Sequence, residues 1–183
     1  MIVVIVVVVI LVIGVLYYIG KRNSIIGSRN RVDESWSGID VQLKRRHDLV
    51  PNLVETVKGF AAQEKSILET IANARAKLGG AGNVPDKIAA SNELSGALSR
   101  LLVVVENYPN LKSDATFARL MDELAGTENR LSVERKRYND SVQVYNVAVR
   151  QFPGTLIARI LGFREQPFFE VPAAARQTPQ VKF

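Results

Sequence analysis

The chain has 183 residues, no cysteine and a single histidine, so one copy cannot build a His/Cys zinc site or the paired Glu-x-x-His motif of di-metal bundles. Its net charge of +6 resembles that of a nucleic-acid binder until the charges are located. Four of the 24 Lys and Arg residues fall in 21–31, which holds no acid, leaving 20 basic against 18 acidic residues elsewhere, so no nucleic-acid partner is expected.

From Ile2 to Ile19 there is no charge, no Asn or Gln, and one glycine, Gly14. A helix over these residues would be roughly 27 Å long, close to the ~30 Å hydrocarbon core of a bilayer. Ten of the first twelve residues are Val or Ile, poor helix formers in water and a strange lining for every face of a soluble helix. Tyr17 and Tyr18 stand where amphipathic rings suit the headgroup layer. No basic n-region precedes the stretch and no A-x-A site follows it, so it reads as an anchor and not as a cleaved signal. Residues 1–20 are therefore expected to be a transmembrane anchor. Lys21, Arg22, Arg29 and Arg31 make 21–31 a basic juxtamembrane segment. The positive-inside bias then puts the N-terminus outside and the C-terminal domain in the cytoplasm, at the bacterial inner membrane. Contact of the basic flank with anionic headgroups is expected as well.

Beyond the anchor, apolar residues recur at 3–4 spacing through Val32, Trp36, Ile39, Leu43, Val50, Leu53, Val57, Phe60, Ile67, Ile71, Ala74 and Leu78. Gly79–Asn83 ends that run as a loop, and Pro85 and Asp86 suit the start of a second helix carrying Ile88, Leu94, Leu98, Leu101, Val105 and Tyr108. Ser113 or Asp114 can cap a third helix with Phe117, Leu120, Leu124, Leu131, Tyr138, Val142, Tyr145 and Val149. Phe152-Pro153-Gly154 stops it, and Thr155–Leu161 reads as a short helix closed by Gly162. Pro51 leaves two readings open. The unbroken stripe favours one kinked helix, whereas matched helix lengths favour a turn at His47–Val50 and four helices, the arrangement preferred here. The expected fold is all-α, an antiparallel up-and-down bundle of three to four long helices over 32–164, followed by an extended tail over 165–183.

Two polar constellations stand out. Arg46 falls on the apolar seam, where an unpaired charge is costly, so it needs a carboxylate. Asp48 is near in sequence and Glu64 lies on the same stripe, making Arg45, Arg46, Asp48, Asn52 and Glu64 a candidate polar site. The dipeptides Tyr138-Asn139 and Tyr145-Asn146 are seven residues apart, which puts both rings on one helix face. Each constellation is more simply a structural network that fixes register; the sharper readings are a recognition site and a peptide or ligand groove. Glu128 and Arg130 are expected to form an ion pair. The segment 152–164 reads as a plug on the bundle end or, being apolar and basic, as an interfacial segment. Residues 79–83 lack the Lys and Ser/Thr of a phosphate loop, and Ser/His/Asp chemistry would rest on His47 alone. No catalytic residue, metal or cofactor is expected, and the chain reads as a non-enzyme.

The strings RRHDLVPNLVETVKGF (45–60), LSRLLVVVENYPNLK (98–112), GTENRLSVERKRYNDSVQVYN (126–146) and FPGTLIARILGFREQPFF (152–169) resemble the LemA family of bacterial membrane-anchored helical bundles. The resemblance runs from about residue 22 to the closing Val181-Lys182-Phe183. It implies a helical domain behind an N-terminal anchor, with no established enzymatic activity. One branch implies work in building magnetosome membranes, and neighbouring genes in some members imply a link to membrane proteases. Members anchored through a lipidated cysteine face the other way, a variant that this chain cannot adopt. Many members carry Tyr-Asn just past the anchor; Arg22-Asn23 stands here, so a role for that tyrosine does not transfer.

The expected function is a membrane-anchored scaffold or adaptor at the bacterial envelope, with the lipid bilayer and other proteins as partners and self-association open. Two alternatives stand beside it: a regulator of a membrane protease or envelope-stress pathway, and a ligand sensor using Arg45, Arg46, Asp48 and Glu64.

Overall fold

A computed structural model describes residues 1–170, all of them helical or connecting, with no strand among the described residues. The elements are α1 (Ile2–Phe60), α2 (Lys65–Gly80), α3 (Val84–Val105), α4 (Pro109–Lys112), α5 (Ala115–Arg150) and α6 (Gly154–Leu161). Of the expected tail, 165–170 carries no helix or strand, and 171–183 lies outside the described residues. The chain divides into two units, each with its own packing. One comprises Met1–Gly38 and Glu134–Phe168; the other comprises Ile39–Val133 together with Phe169 and Glu170.

In the second unit four helical segments meet. Ile39, Leu43, Arg46, Val50, Leu53 and Val57 of α1 alternate in steps of four and three and are all buried, a heptad seam. Leu68, Ile71, Ala74 and Leu78 answer from α2 and Leu94, Leu98 and Leu101 from α3. From α5 come Phe117, Leu120, Leu124 and Leu131. Burying each such Leu or Ile contributes roughly 1.5–3 kcal/mol against leaving it in water. α3 starts on Asn83, whose side chain accepts the Asp86 N–H, with Pro85 in the first turn. Asp114 caps α5 by accepting the Phe117 N–H at 2.8 Å. The single-turn α4, with Leu111 fully buried, was not legible in the sequence.

The preferred turn at His47–Val50 is not there. α1 continues through Pro51 to Phe60, and the chain turns at 61–64 instead. Pro51 has no N–H to give the carbonyl four residues back, that of His47, and such an interior proline ordinarily costs about 3 kcal/mol. Arg75 of α2 supplies the missing donor: its Nε donates to the His47 carbonyl at 3.0 Å. Loss of Arg75 should therefore destabilise the unit by about 1–2 kcal/mol in the native background. In a Pro51→Ala background the penalty should shrink, because the substitution restores the backbone donor. A double-mutant cycle by urea unfolding of the full chain in detergent checks this, and equal penalties in both backgrounds would refute it.

In the first unit, α1 and α5 run antiparallel, since rising positions on one meet falling positions on the other. A Cβ on Gly38 would touch Glu134, the Trp36 and Tyr138 rings meet edge-on at 5.3 Å, and the Arg29 guanidinium stands 5.9 Å from the Tyr145 ring centre. Ile25, Val32, Tyr138, Val142 and Tyr145 form the buried seam. α6 closes in a Schellman turn on Gly162 at φ 72°, the Phe163 N–H reaching the Ala158 carbonyl at 2.9 Å. Residues 2–19 of α1 are exposed along their whole length and are long and apolar enough to cross a membrane. α3 meets the same length-and-composition criterion, but its Leu94, Leu98 and Leu101 are spent on the helical core and its other faces carry Asp86, Lys87, Glu93 and Arg100.

Candidate functional site

The candidate cluster around Arg46 does not assemble as expected. Arg46 is 5% exposed, and its Nη1 donates to Ser95 Oγ of α3 at 2.9 Å and to the Glu128 carboxylate of α5. The carboxylate that compensates the seam arginine is thus neither Asp48 nor Glu64. Asp48 sits on the exposed side of α1, accepting from Lys44 at 3.3 Å and lying 3.2 Å from His47 Nδ1. Those two neighbours, His47 foremost, hold its carboxyl below the usual carboxylate range. Glu64, at the 61–64 turn, accepts the Tyr108 hydroxyl proton at 2.7 Å, while Gln63 donates to the same hydroxyl at 3.0 Å. The Glu64 hydrogen bond pushes the Tyr108 phenol up. Arg45 and Asn52 are exposed, and the Asn52 carbonyl accepts from Thr56. Arg130 donates to Gln42 at 3.3 Å, so the expected Glu128–Arg130 pair gives way to the Arg46–Glu128 pair. The five residues grouped from the sequence are thus distributed over a core ion pair (Arg46), a surface pair (Asp48), a turn (Glu64) and two exposed positions, Arg45 and Asn52.

Glu128 and Ser95 were missed because they lie 82 and 49 positions from Arg46. The one available signal was that Glu128 flanks the α5 seam between Leu124 and Leu131, where a carboxylate can reach inward.

His47 also borders a cleft of about 280 Å³ with Asp40, Lys44, Gly79 and Lys87. Asp40 and Lys87 pair with each other, and neither Ser nor Thr lines the cleft, so the His47–Asp48 pair has no hydroxyl beside it there. Among the described residues, no three His, Asp or Glu side chains stand together as a metal site would require.

The Tyr-Asn repeat forms a ladder that holds the segment 163–168 along α5. The Tyr138 hydroxyl donates to the Pro167 carbonyl at 2.9 Å and the Tyr145 hydroxyl to the Arg164 carbonyl at 2.8 Å. Asn146 grips Gln166 on both sides, donating to its carbonyl at 2.9 Å and accepting its N–H at 2.8 Å. One turn on, Arg150 forks onto Glu165, which holds that carboxyl below its ordinary range and raises the guanidinium. Burial pushes the Tyr138 phenol up to about 12, so it stays a donor at any physiological pH. Asn139 is half-buried beside Tyr138. The rungs read backbone groups, which explains why the repeat was visible in the sequence but its partner was not.

Asn146→Ala should cost about 2 kcal/mol by leaving both Gln166 backbone groups without their protein partner. Amide exchange at Gln166 should accelerate accordingly, whereas unchanged protection there would show that the ladder does not hold the segment.

Residues 35–183 match the LemA family profile. The chain is 31% identical over 174 residues to the magnetosome protein MamQ of Magnetospirillum gryphiswaldense, covering 79% of this chain but only 64% of that protein, less than two thirds of its length. It is 28% identical to the magnetosome protein MamQ 2 of Paramagnetospirillum magneticum, covering 88% of this chain and 70% of the relative. With protein LemA of Metamycoplasma hominis it shares 21% identity over 90% of this chain and 76% of that one.

Proposed function

We propose that this chain, which belongs to the LemA family, is a non-catalytic scaffold that holds a helical domain at a bacterial membrane and presents its outer faces to other proteins. The observation that carries the reading is α1 itself, whose exposed apolar residues 2–19 and buried heptad seam belong to one continuous helix. A helix of that kind commits its first part to lipid and its later part to a bundle core. The polar groups that could have served chemistry are engaged in holding helices together, as Arg46 and the Tyr-Asn ladder are. The outer surface of the second unit offers a cleft of about 470 Å³ between α1 and α2, lined by Val54, Ala62, Leu68 and Ala72 with Lys58, Lys65 and Glu69 at its rim. Apolar floor and charged edge suit a partner helix. The basic flank 21–31 supports a helical domain on the cytoplasmic side, by the positive-inside rule. The similarity to proteins named for the magnetosome supports work in membrane organisation.

In-cell crosslinking of the intact protein followed by mass spectrometry tests the proposal. Recovery of a defined partner or of the chain's own copies, weakened by Ala72→Asp or Val54→Asp, is expected. Recovery of neither would overturn it.

A further inference from the structure

The first unit carries an exposed apolar row that the scaffold reading does not use. Leu156, 51% exposed, and Ile160, 74%, are four residues apart and share one side of α6, and Phe152, 80% exposed, lies two residues before the helix. The opposite side of the helix, Gly154, Ile157 and Ala158, is buried. Arg159 and Arg164 flank the row, both exposed and without an ion-pair partner among the described residues.

The place of this helix along α1 says what the row meets. A Cβ on Gly154 would stand 3.9 Å from Ile25 Cδ1, so the start of α6 packs against Ile25. Ile25 is six residues past Ile19, about 9 Å along the helix. A polar headgroup layer is roughly 5–8 Å deep on each side of the hydrocarbon, and a helix with its side chains is about 10–12 Å across. When residues 2–19 span, the start of α6 therefore stands at headgroup level. Lys21 and Arg22 occupy that level on α1 itself.

We propose that α6 is a second, peripheral membrane contact. Phe152, Leu156 and Ile160 enter the headgroup–acyl boundary, and Arg159 and Arg164 pair with the phosphates of anionic phospholipids. A short helix with an apolar row and flanking arginines is the amphipathic pattern that binds in the interface plane. The proposal rests on the reading that residues 2–19 span the membrane.

The natural absence of cysteine makes the test direct. Ile160→Cys, Ile10→Cys and Lys136→Cys are each labelled with a fluorophore in the full chain. The labelled proteins are reconstituted in vesicles of phosphatidylcholine, with or without phosphatidylglycerol, containing lipids brominated along the acyl chain. Lys136 is the aqueous control: it is exposed, two residues from Tyr138, whose ring meets Trp36, about 25 Å along α1 past Ile19. The Ile10 label should be quenched strongly, and the Ile160 label at least about twofold more than the Lys136 label. Phosphatidylglycerol should increase the Ile160 quenching, and the double change Arg159→Gln with Arg164→Gln should remove that increase. An unquenched Ile10 label would sink the anchor reading itself. A quenched Ile10 label with Ile160 no different from Lys136 would overturn this proposal alone. An Ile160 label shielded from both lipid bromine and aqueous iodide would mean that a second copy of the chain covers the row, which also overturns it. Equal Ile160 quenching with and without phosphatidylglycerol would overturn the assignment of anionic lipid.

Discussion

Replacing Glu128 with alanine is expected to destabilise the second unit by about 3 kcal/mol, more than replacing Arg46 with methionine. The asymmetry follows from where the two charges sit. The Arg46 side chain is 6% exposed and that of Glu128 38%. Without Glu128, a guanidinium stays in the seam with only Ser95 as its hydroxyl acceptor, and its Nε is already without a partner. Without Arg46, the remaining carboxylate still reaches water. Arg46→Met, which keeps volume on an apolar seam, should therefore cost about 1 kcal/mol or less. Urea unfolding of the full chain in detergent, at one pH and salt, measures both. If Arg46→Met proved the more damaging, the pair would not be the core compensation described here. If Arg46→Met left stability intact but abolished capture of a partner, Arg46 would be a recognition residue.

Gly154→Ala is the second large effect, expected to cost about 2–3 kcal/mol and to detach α6. The added Cβ would stand 2.1 Å from the Ala148 carbonyl oxygen, a backbone atom that cannot swing aside. Gly38→Ala provides the contrast. Its new Cβ would meet Glu134 Oε2 at 2.7 Å, but that is the end of a flexible side chain. Relief of the helix-interior glycine, worth roughly 0.8–1 kcal/mol, should offset most of the crowding at Gly38. Detachment is readable as faster tryptic cleavage after Arg159, and Gly154→Ala with unchanged cleavage and unfolding would refute the close packing. The same variant should also weaken the lipid contact of α6, since that contact depends on α6 being held against Ile25.

Much of the fold was legible because helical burial is written locally. The steps of four and three from Ile39 to Val57 and from Phe117 to Val149 mark the faces that are buried, and Asp114 and Gly162 mark ends where a cap was expected. The turn at 61–64 was not legible, for a specific reason. Val57, Ala61 and Leu68 are buried at spacings of four and seven, so the heptad phase passes through the turn unchanged. Ala61-Ala62-Gln63-Glu64 contains neither Gly nor Pro to announce it. Phe60 and Ile67, placed on the seam by periodicity, are exposed and half-buried instead, each one residue before the true seam positions. Pro51 gave the opposite error, a local stop signal overridden by a donor from another helix.

The sequence alone determined that the chain is all-α, that its first apolar stretch is long enough to cross a membrane, and which face of each long helix turns inward. These follow from residue type and spacing within one element. The tertiary structure alone decided that Arg46 is answered by Glu128, that Arg75 repairs the backbone at Pro51, and that the Tyr-Asn repeat grips the backbone of 163–168. Periodicity records that a face is covered but not by what, and a carbonyl acceptor has no letter in the sequence.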